Sequence, residues 1–191
     1  MRTTVFNTPF LTPVLRGLAI VLLKITGWRV VGSDKKVHRC VLIGAPHTSN
    51  WDFPLMLMAV LKLRLQVFWM GKESLFKFPF GALMLWLGGI PIDRSKANNL
   101  VKQISEQYRL HDKLIVLIPP EGTRSRTPKW KTGFYHIASS AAVPILMGYI
   151  DAPKKELGLA DFYSPSGDIE VDLEQIKAWY KDKGGIRPEN A

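Results

Sequence analysis

Apolar residues along the chain fall into short continuous runs, separated by longer stretches in which they recur every three or four positions. The short runs are typical of buried strands and predict strands at 28–31, 40–44, 65–70, 89–92, 114–118 and 144–150. The longer stretches predict helices at 13–26, 51–63, 72–87 on either side of Pro79, 97–110, 133–141 and around 176–181. Gly27 is expected to end the first helix, and Ser49 or Asn50 to cap the second.

Strands that alternate with helices indicate a layered α/β fold. We therefore predict a single domain in which a mixed β-sheet is flanked by helices, preceded by an apolar N-terminal helix. The 191 residues suit one domain with a full core. The order of the strands is not predicted, and the residues after Gly184 are expected to form a loose tail.

The first predicted helix belongs to a very apolar stretch, 14–31. Arg16, Lys24 and Arg29 interrupt it, so no apolar run reaches the roughly 18–20 residues that a spanning helix needs. We predict that residues 1–26 form a membrane-associating helix, with its basic side chains at the lipid headgroups, and that 27–191 form the main domain. The alternative is a core helix of a soluble protein.

Composition and charge narrow the class of protein without choosing a partner. Hydrophobic residues make up 47% and charged residues 22%, which is typical of a globular chain. The net charge of +10 favours polyanions such as nucleic acid, an anionic membrane or an acidic partner. Cys40 is the only cysteine, so an internal disulfide and a C-x-x-C redox pair are excluded. Its apolar neighbours predict a buried, inert thiol.

His47 and Asp52 are the first candidates for catalysis. A neutral imidazole can take a proton from a hydroxyl group, and a carboxylate can orient the ring and stabilise the imidazolium. Residues five apart on one helix lie about 140° apart around its axis. The pair can therefore meet only if His47 precedes the helix and Asp52 lies in its first turn. Each residue also has a structural alternative, Asp52 as an acid that stabilises the helix N-terminus and His47 as a hydrogen-bonded core histidine.

A second group of candidates lies in the loop 120–126, which follows a predicted buried strand. Loops that leave strand ends are where α/β folds gather ligand groups. Gly122 lets the backbone approach a ligand, Thr123 offers a hydroxyl group, and Arg124 has a planar fork that suits phosphate. Glu121 would hold an arginine or bind a substrate hydroxyl. The alternative is a solvated basic surface loop.

Two further segments contain basic residues. Arg94 follows the run at 89–92 and would supply a second phosphate contact, or else belong to a surface turn with Asp93. Residues 71–81 mix aromatic and basic side chains. That mixture suits the membrane interface, and it suits core packing with exposed lysines equally well.

Together these segments resemble the glycerol-phosphate acyltransferase family, the lysophosphatidic-acid acyltransferase type in particular. The four blocks that carry the resemblance are 47–52, 88–94, 120–125 and 143–145, and the stretch 72–81 before the second block is also similar. The resemblance covers about residues 40–150, with the blocks in the order of the family. Pro46 and Pro119 depart from the Asn and Phe that the family often has there.

The resemblance implies that His47 is the general base for the acceptor hydroxyl and that Asp52 orients it. The residues implied to bind the acceptor are Lys72, Arg94, Glu121, Gly122, Thr123 and Arg124. The acyl donor would be a thioester of coenzyme A or acyl carrier protein, transfer would be direct, and no metal or cofactor is implied. The expected partners are a membrane surface and a lysophospholipid acceptor, not nucleic acid. The expected location is peripheral, on the cytoplasmic face of a membrane.

Two other functions fit the same residues. The first is a basic membrane- or nucleic-acid-binding module that performs no chemistry. The second is a hydrolase that uses the histidine and the aspartate with water as acceptor, although the sequence lacks the G-x-S-x-G motif of ordinary lipases. The pairing of His47 with Asp52 separates an enzyme from a binding module, because a binding module has no reason to pair them.

Overall fold

The computed structural model of the chain describes residues 2–32, 38–92 and 97–190. The strands are β1 Arg29–Val31, β2 Arg39–Ala45, β3 Val67–Lys72, β4 Gly89–Ile92, β5 Leu114–Ile118, β6 Ile145–Asp151 and β7 Glu156–Tyr163. The α-helices are α1 Leu11–Thr26, α2 Asp52–Lys62, α3 Gly81–Trp86, α4 Ala97–Leu110, α5 Gly133–Ala141 and α6 Ile169–Tyr180. Short 3₁₀ turns cover Glu73–Phe76 and Pro188–Asn190.

Within the described residues these strands form one seven-stranded sheet in the order β1-β7-β6-β2-β5-β3-β4. The five strands β6, β2, β5, β3 and β4 run parallel to one another. β7 pairs antiparallel with β6 and parallel with β1, so β1 and β7 run in the opposite direction. The prediction of a mixed sheet flanked by helices is therefore confirmed.

Alternate side chains of the central strands enter two apolar layers, as the twofold period of a strand requires. Val41 and Ile43 of β2 belong to one cluster, together with residues of α4, α5 and α6. Cys40 and Leu42 belong to a second cluster on the opposite face, against α2. Cys40 is fully buried, and burial raises the pKa of its thiol to about 12, which confirms the predicted inert thiol.

Helix α1 packs on one side only. Leu23 is buried in a third cluster with Leu55 of α2 and Leu157 of β7, and Ala19 is also buried. The opposite side of α1 exposes large apolar side chains. In the described part of the chain, no helix combines the length and the apolar character that crossing a bilayer requires.

Asp172 attaches α6 to the sheet. Its carboxylate is 1% exposed and accepts hydrogen bonds from the hydroxyls of Tyr135 and Tyr163, at 2.7 and 2.6 Å. The Ser166 N–H and hydroxyl donate to the same group, at 2.7 and 2.8 Å. Burial raises the pKa of Asp172, but these four hydrogen bonds more than offset it and lower the pKa to about 2.

The structure corrects the sequence predictions at several places. β7 was not predicted, and the last helix, to which 176–181 was expected to belong, spans Ile169–Tyr180. The prediction of a loose tail after Gly184 is wrong, because Arg187 N–H and the Asn190 side chain donate hydrogen bonds to Thr48 at 3.2 and 3.3 Å. Elsewhere the predicted α4 and β5 match the observed bounds.

Candidate active site

The candidate residues follow neighbouring parallel strands at one edge of the sheet. β2, β5 and β3 are adjacent, so the residues that follow their carboxyl ends meet at that edge. His47 comes two residues after β2, Glu121 three residues after β5, and Lys72 is the last residue of β3. Arg94 follows β4 in sequence but lies outside the described residues.

The side chains of His47 and Asp52 are hydrogen-bonded, with His47 Nδ1 and Asp52 Oδ2 2.9 Å apart. His47 lies in the loop between β2 and α2, and Asp52 is the first residue of α2. This is the placement that helix geometry required of the pair. A carboxylate can only accept a hydrogen bond, so the proton lies on Nδ1 and the lone pair is on Nε2. The His47 side chain is 27% exposed, so part of it is open to solvent.

Asp52 Oδ2 also anchors the loop that carries the histidine. It accepts the backbone N–H groups of Thr48 and Ser49, at 2.8 and 2.9 Å. The expected cap by Ser49 or Asn50 is wrong, because the N-cap position of α2 is Trp51 and it makes no side-chain capping bond. The side chain of Asp52 points back to the loop, and its Oδ2 accepts hydrogen bonds from the ring of His47 and from the backbone of the next two residues.

Glu121 contacts the same loop from the β5 side. Its Oε1 accepts the backbone N–H of His47 at 3.2 Å. Burial raises the pKa of Glu121, and the hydrogen bond from the His47 N–H offsets only part of that effect. The sequence placed Glu121 in a substrate-binding loop. The structure adds that it holds the backbone of the histidine.

Gly122, Thr123 and Arg124 form an exposed turn beyond Glu121. Gly122 has a left-handed φ of 66°, and an added Cβ would lie 3.2 Å from Lys131 Cγ. The Lys131 N–H donates to the Pro120 carbonyl at 2.7 Å, which holds the turn against the chain. Exposed hydroxyl and guanidinium groups on a held turn are suited to a charged ligand from solvent.

Lys72 is exposed at the end of β3 and offers a further cation at this edge. Among the residues that the structure describes, no three His, Cys, Asp or Glu side chains are grouped so that they could hold a metal ion. The described residues at this edge include a histidine that can transfer a proton and two exposed basic side chains, Lys72 and Arg124.

Thr48 contacts both the pair and a distant segment, and nothing in the sequence marks it. It is 2% exposed, and its N–H is bonded to Asp52. Its side-chain and carbonyl oxygens accept hydrogen bonds from residues 187 and 190. These contacts span more than 130 positions, so no local pattern could have indicated them.

A mixed α/β sheet with a histidine–aspartate pair at the carboxyl edge of its parallel strands is an arrangement suited to general-base catalysis. The acyltransferase family model matches residues 28–150, well over half of the chain. The chain therefore belongs to the acyltransferase family, and the resemblance seen in the sequence is confirmed.

Named relatives agree with this assignment. The chain is 34% identical over 125 residues to the 1-acyl-sn-glycerol-3-phosphate acyltransferase of Haemophilus influenzae, covering 62% of this chain and 50% of the relative. It is 30% identical over 134 residues to the Escherichia coli protein of the same name, covering 66% of this chain and 53% of that one. The chain thus spans about half the length of these curated relatives.

A solved structure shares the fold. The crystal structure of the 1-acyl-sn-glycerophosphate acyltransferase of Thermotoga maritima superimposes with a TM-score of 0.61. The match covers 90% of this chain and 77% of that chain, at 19% sequence identity. At this identity the likeness establishes the fold alone, and it confirms the predicted fold class.

Proposed function

We propose that this chain transfers an acyl group from a thioester, on coenzyme A or acyl carrier protein, to a hydroxyl group of a lysophospholipid or glycerol-phosphate-like acceptor. The observation that carries the proposal is the hydrogen bond between His47 Nδ1 and Asp52 Oδ2 at the sheet edge. The names of the matched relatives support the substrate class.

The proposed reaction is one direct transfer. Nε2 of His47 takes the proton of the acceptor hydroxyl while the hydroxyl oxygen of the acceptor attacks the thioester carbonyl carbon. Asp52 stabilises the imidazolium that forms. The carbon–sulfur bond then breaks, and the departing thiolate takes the proton from Nε2, so no acyl-enzyme forms.

The basic residues at the carboxyl ends of the parallel strands, Arg124 and Lys72, are proposed to bind the acceptor phosphate. Arg124 presents a guanidinium fork on the turn after β5, and Lys72 a point charge at the end of β3. Gly122 and Thr123 would bring the backbone and a hydroxyl group to the ligand. Arg94, in the block after β4, is proposed as a further phosphate contact on the strength of its position in the sequence.

The test is an assay of thiol release and of lipid product with purified protein, an acyl thioester and lysophosphatidic acid. His47→Ala should lower the rate by about 10²–10⁴-fold. His38→Ala is the matched control, because this exposed histidine precedes the amino end of β2, away from the candidate edge.

Each outcome separates the alternatives. Acylated lipid formed by the wild type but not by His47→Ala supports the proposal. Thiol release with free fatty acid and no acylated lipid would identify a hydrolase. No thiol release with any lysolipid acceptor would contradict catalysis and favour a binding module.

We also propose that α1 attaches the chain to the cytoplasmic face of a membrane. Apolar side chains 41% to 76% exposed recur every three or four residues along α1, at Leu11, Val14, Leu18, Val21 and Ile25. An apolar stripe of this kind suits the lipid interface, and the net charge of +10 favours an anionic leaflet. Exposed Phe78 and Phe80 precede α3, which is tied to the segment before α1 by a hydrogen bond from Trp86 Nε1 to Thr8 Oγ1 at 2.9 Å.

A further inference from the structure

We propose that the segment 185–190 positions the loop 46–51 between β2 and α2, called the catalytic loop because it carries His47. Thr48 and Gly185 are then positioning residues for the acyl transfer. The inference rests on the proposed function, because it takes His47 as the general base. It adds a part of the chain that lies outside the four sequence blocks.

Thr48 is held from two sides. On one side its N–H donates to Asp52 Oδ2 at 2.8 Å, which is the oxygen that also contacts His47 Nδ1. On the other side its Oγ1 accepts the N–H of Arg187 at 3.2 Å, and its carbonyl oxygen accepts the side-chain N–H of Asn190 at 3.3 Å. Thr48 therefore connects the segment to the pair directly, with no intervening side chain.

Gly185 determines how closely the segment can approach. It is buried, and a Cβ added there would lie 2.5 Å from Thr48 Cγ2 and 2.6 Å from Thr48 Oγ1. Thr48 is itself buried and branched at Cβ, so it can yield only if the loop backbone moves. Any side chain at position 185 would therefore displace the residue next to His47.

The segment is anchored independently of the loop. The carbonyl oxygen of Gly184 accepts the N–H of Ala152, in the turn between β6 and β7, at 2.8 Å. Ile186 packs on the cluster that contains Leu23 of α1 and Leu55 of α2. The segment is thus a fixed support for the loop, and a change in the segment is transmitted to Thr48.

The loop meets three supports. Asp52 of α2 and Glu121 of the turn after β5 each accept backbone N–H groups of the loop. The segment 185–190 donates a backbone N–H to the side chain of Thr48. A displacement of about 1 Å at a catalytic group costs about 10²-fold in rate. Loss of the third support should therefore lower kcat and leave the Michaelis constants of both substrates nearly unchanged.

A double-mutant cycle tests this inference. Gly185→Ala should lower kcat by about 10–100-fold in the wild-type background. In a Thr48→Ala background the contacts at 2.5 and 2.6 Å are removed and only the Cβ of residue 48 remains, 3.1 Å from the added methyl group. Gly185→Ala should then cost about threefold or less further. Thr48→Ser keeps the hydroxyl that accepts the Arg187 N–H, so it should restore most of the activity that Thr48→Ala loses. Glu189→Ala changes an exposed side chain of the same segment and serves as the unaffected control.

A spectroscopic measurement makes the test independent of activity. The ¹⁵N shifts of the His47 ring report which nitrogen carries the proton, and the bond to Asp52 selects Nδ1. Gly185→Ala should populate the tautomer with the proton on Nε2 beside the one with the proton on Nδ1. Asn190→Ala removes only one donor to the loop, so it should populate the Nε2 tautomer less. A wild type that transfers no acyl group would refute the proposed function, and the ring shifts would still decide on the positioning.

Three results would overturn the inference. They are additive effects of the two alanine substitutions on kcat, a change confined to the Michaelis constants, and ring shifts in Gly185→Ala identical to those of the wild type. If Gly185→Ala does not fold, Asn190→Ala and Thr48→Ser decide the matter through kcat and the ring shifts.

Discussion

Asp52→Asn should remove the charge of the pair while preserving its geometry. Oδ2 of Asp52 accepts from His47 Nδ1 and from the N–H groups of Thr48 and Ser49, whereas Oδ1 is buried and has no hydrogen-bond partner among the described residues. An asparagine can place its carbonyl oxygen at the Oδ2 position and its amide nitrogen at the Oδ1 position. All three hydrogen bonds then persist, and the tautomer of His47 is unchanged.

The distance sets the size of the effect. For unit charges 2.9 Å apart, Coulomb's law gives about 6 kcal/mol at an effective dielectric constant of about 20. A hydrogen bond to an ionised group is roughly twice as strong as a neutral one, so the neutral bond to the amide oxygen keeps about half of this value. The remaining loss of about 3 kcal/mol in the transition state corresponds to roughly a 10²-fold fall in kcat.

Asp52→Ala is the comparison. It removes the acceptor of Thr48 and Ser49 as well as the charge, so the loop loses its attachment to α2 and kcat should fall at least about tenfold further. The assay is steady-state acyl transfer at saturating thioester and lysophosphatidic acid. If Asp52→Asn were as slow as Asp52→Ala, the loop-holding role would be refuted. An Asp52→Asn rate within about threefold of the wild type would refute the charge-stabilised imidazolium.

Three further changes have expected outcomes. Asp172→Asn should lower the free energy of unfolding by about 1–2 kcal/mol at pH 7, because the hydrogen bonds that lower the pKa of this buried carboxyl stabilise its charged form in the folded state. Because the folded pKa lies at about 2, below the ordinary 3.8, this deficit should narrow in denaturant titrations as the pH falls from about 5 to about 2. Glu121→Gln keeps the acceptor for the His47 N–H. Burial raises the pKa of Glu121 above its ordinary 4.5, so the charged carboxylate destabilises the folded state at pH 7 and the variant should have the higher melting temperature there. Below about pH 4.5 the carboxyl group is protonated in both states, so the difference in melting temperature should vanish. An equal difference in melting temperature at both pH values would contradict this account. The pair Val14→Glu and Leu18→Glu should abolish sedimentation with anionic vesicles at unchanged melting temperature, whereas Leu110→Glu, at an exposed leucine of α4, should still sediment.

Local patterns predicted the elements whose side chains are sorted by burial. β5 is buried at all five positions and reads as a continuous apolar run. α4 shows the three-to-four-residue spacing of a helix with one face on the core. The type and the bounds of these elements can be predicted from the sequence alone, because the burial of each residue follows from its position in the element.

β7 was missed because it forms through its pairing with β6 and β1, and its own residues show no regular apolar pattern. Its burial changes along its length, from buried Leu157 to exposed Phe162, so neither strand period is present throughout. The ordered segment after Gly184 was missed for the same reason, since residues 187 and 190 bond to Thr48, which is distant in the sequence. Contacts of that range leave no periodic signal.

The pairing of His47 with Asp52 was predicted from the sequence, but the hydrogen bonds that hold their loop were not. The spacing of His47 and Asp52 predicted their placement on either side of a helix start, which the structure shows. It did not indicate that Asp52 would bond to Thr48 and Ser49 in place of a cap, nor that Glu121 would hold the His47 backbone. Those bonds depend on the adjacency of β2 and β5, and the strand order was beyond the sequence.

The burial of Cys40 makes the chain convenient for site-directed labelling. Because the single thiol is fully buried and its pKa is raised to about 12, maleimide and nitroxide reagents should leave it untouched. A cysteine introduced by Ile25→Cys or Phe78→Cys would then be the reactive thiol, with no core residue replaced. If α1 binds a bilayer as proposed, spin labels at these two positions would measure the depth of each position below the lipid phosphates in ångströms.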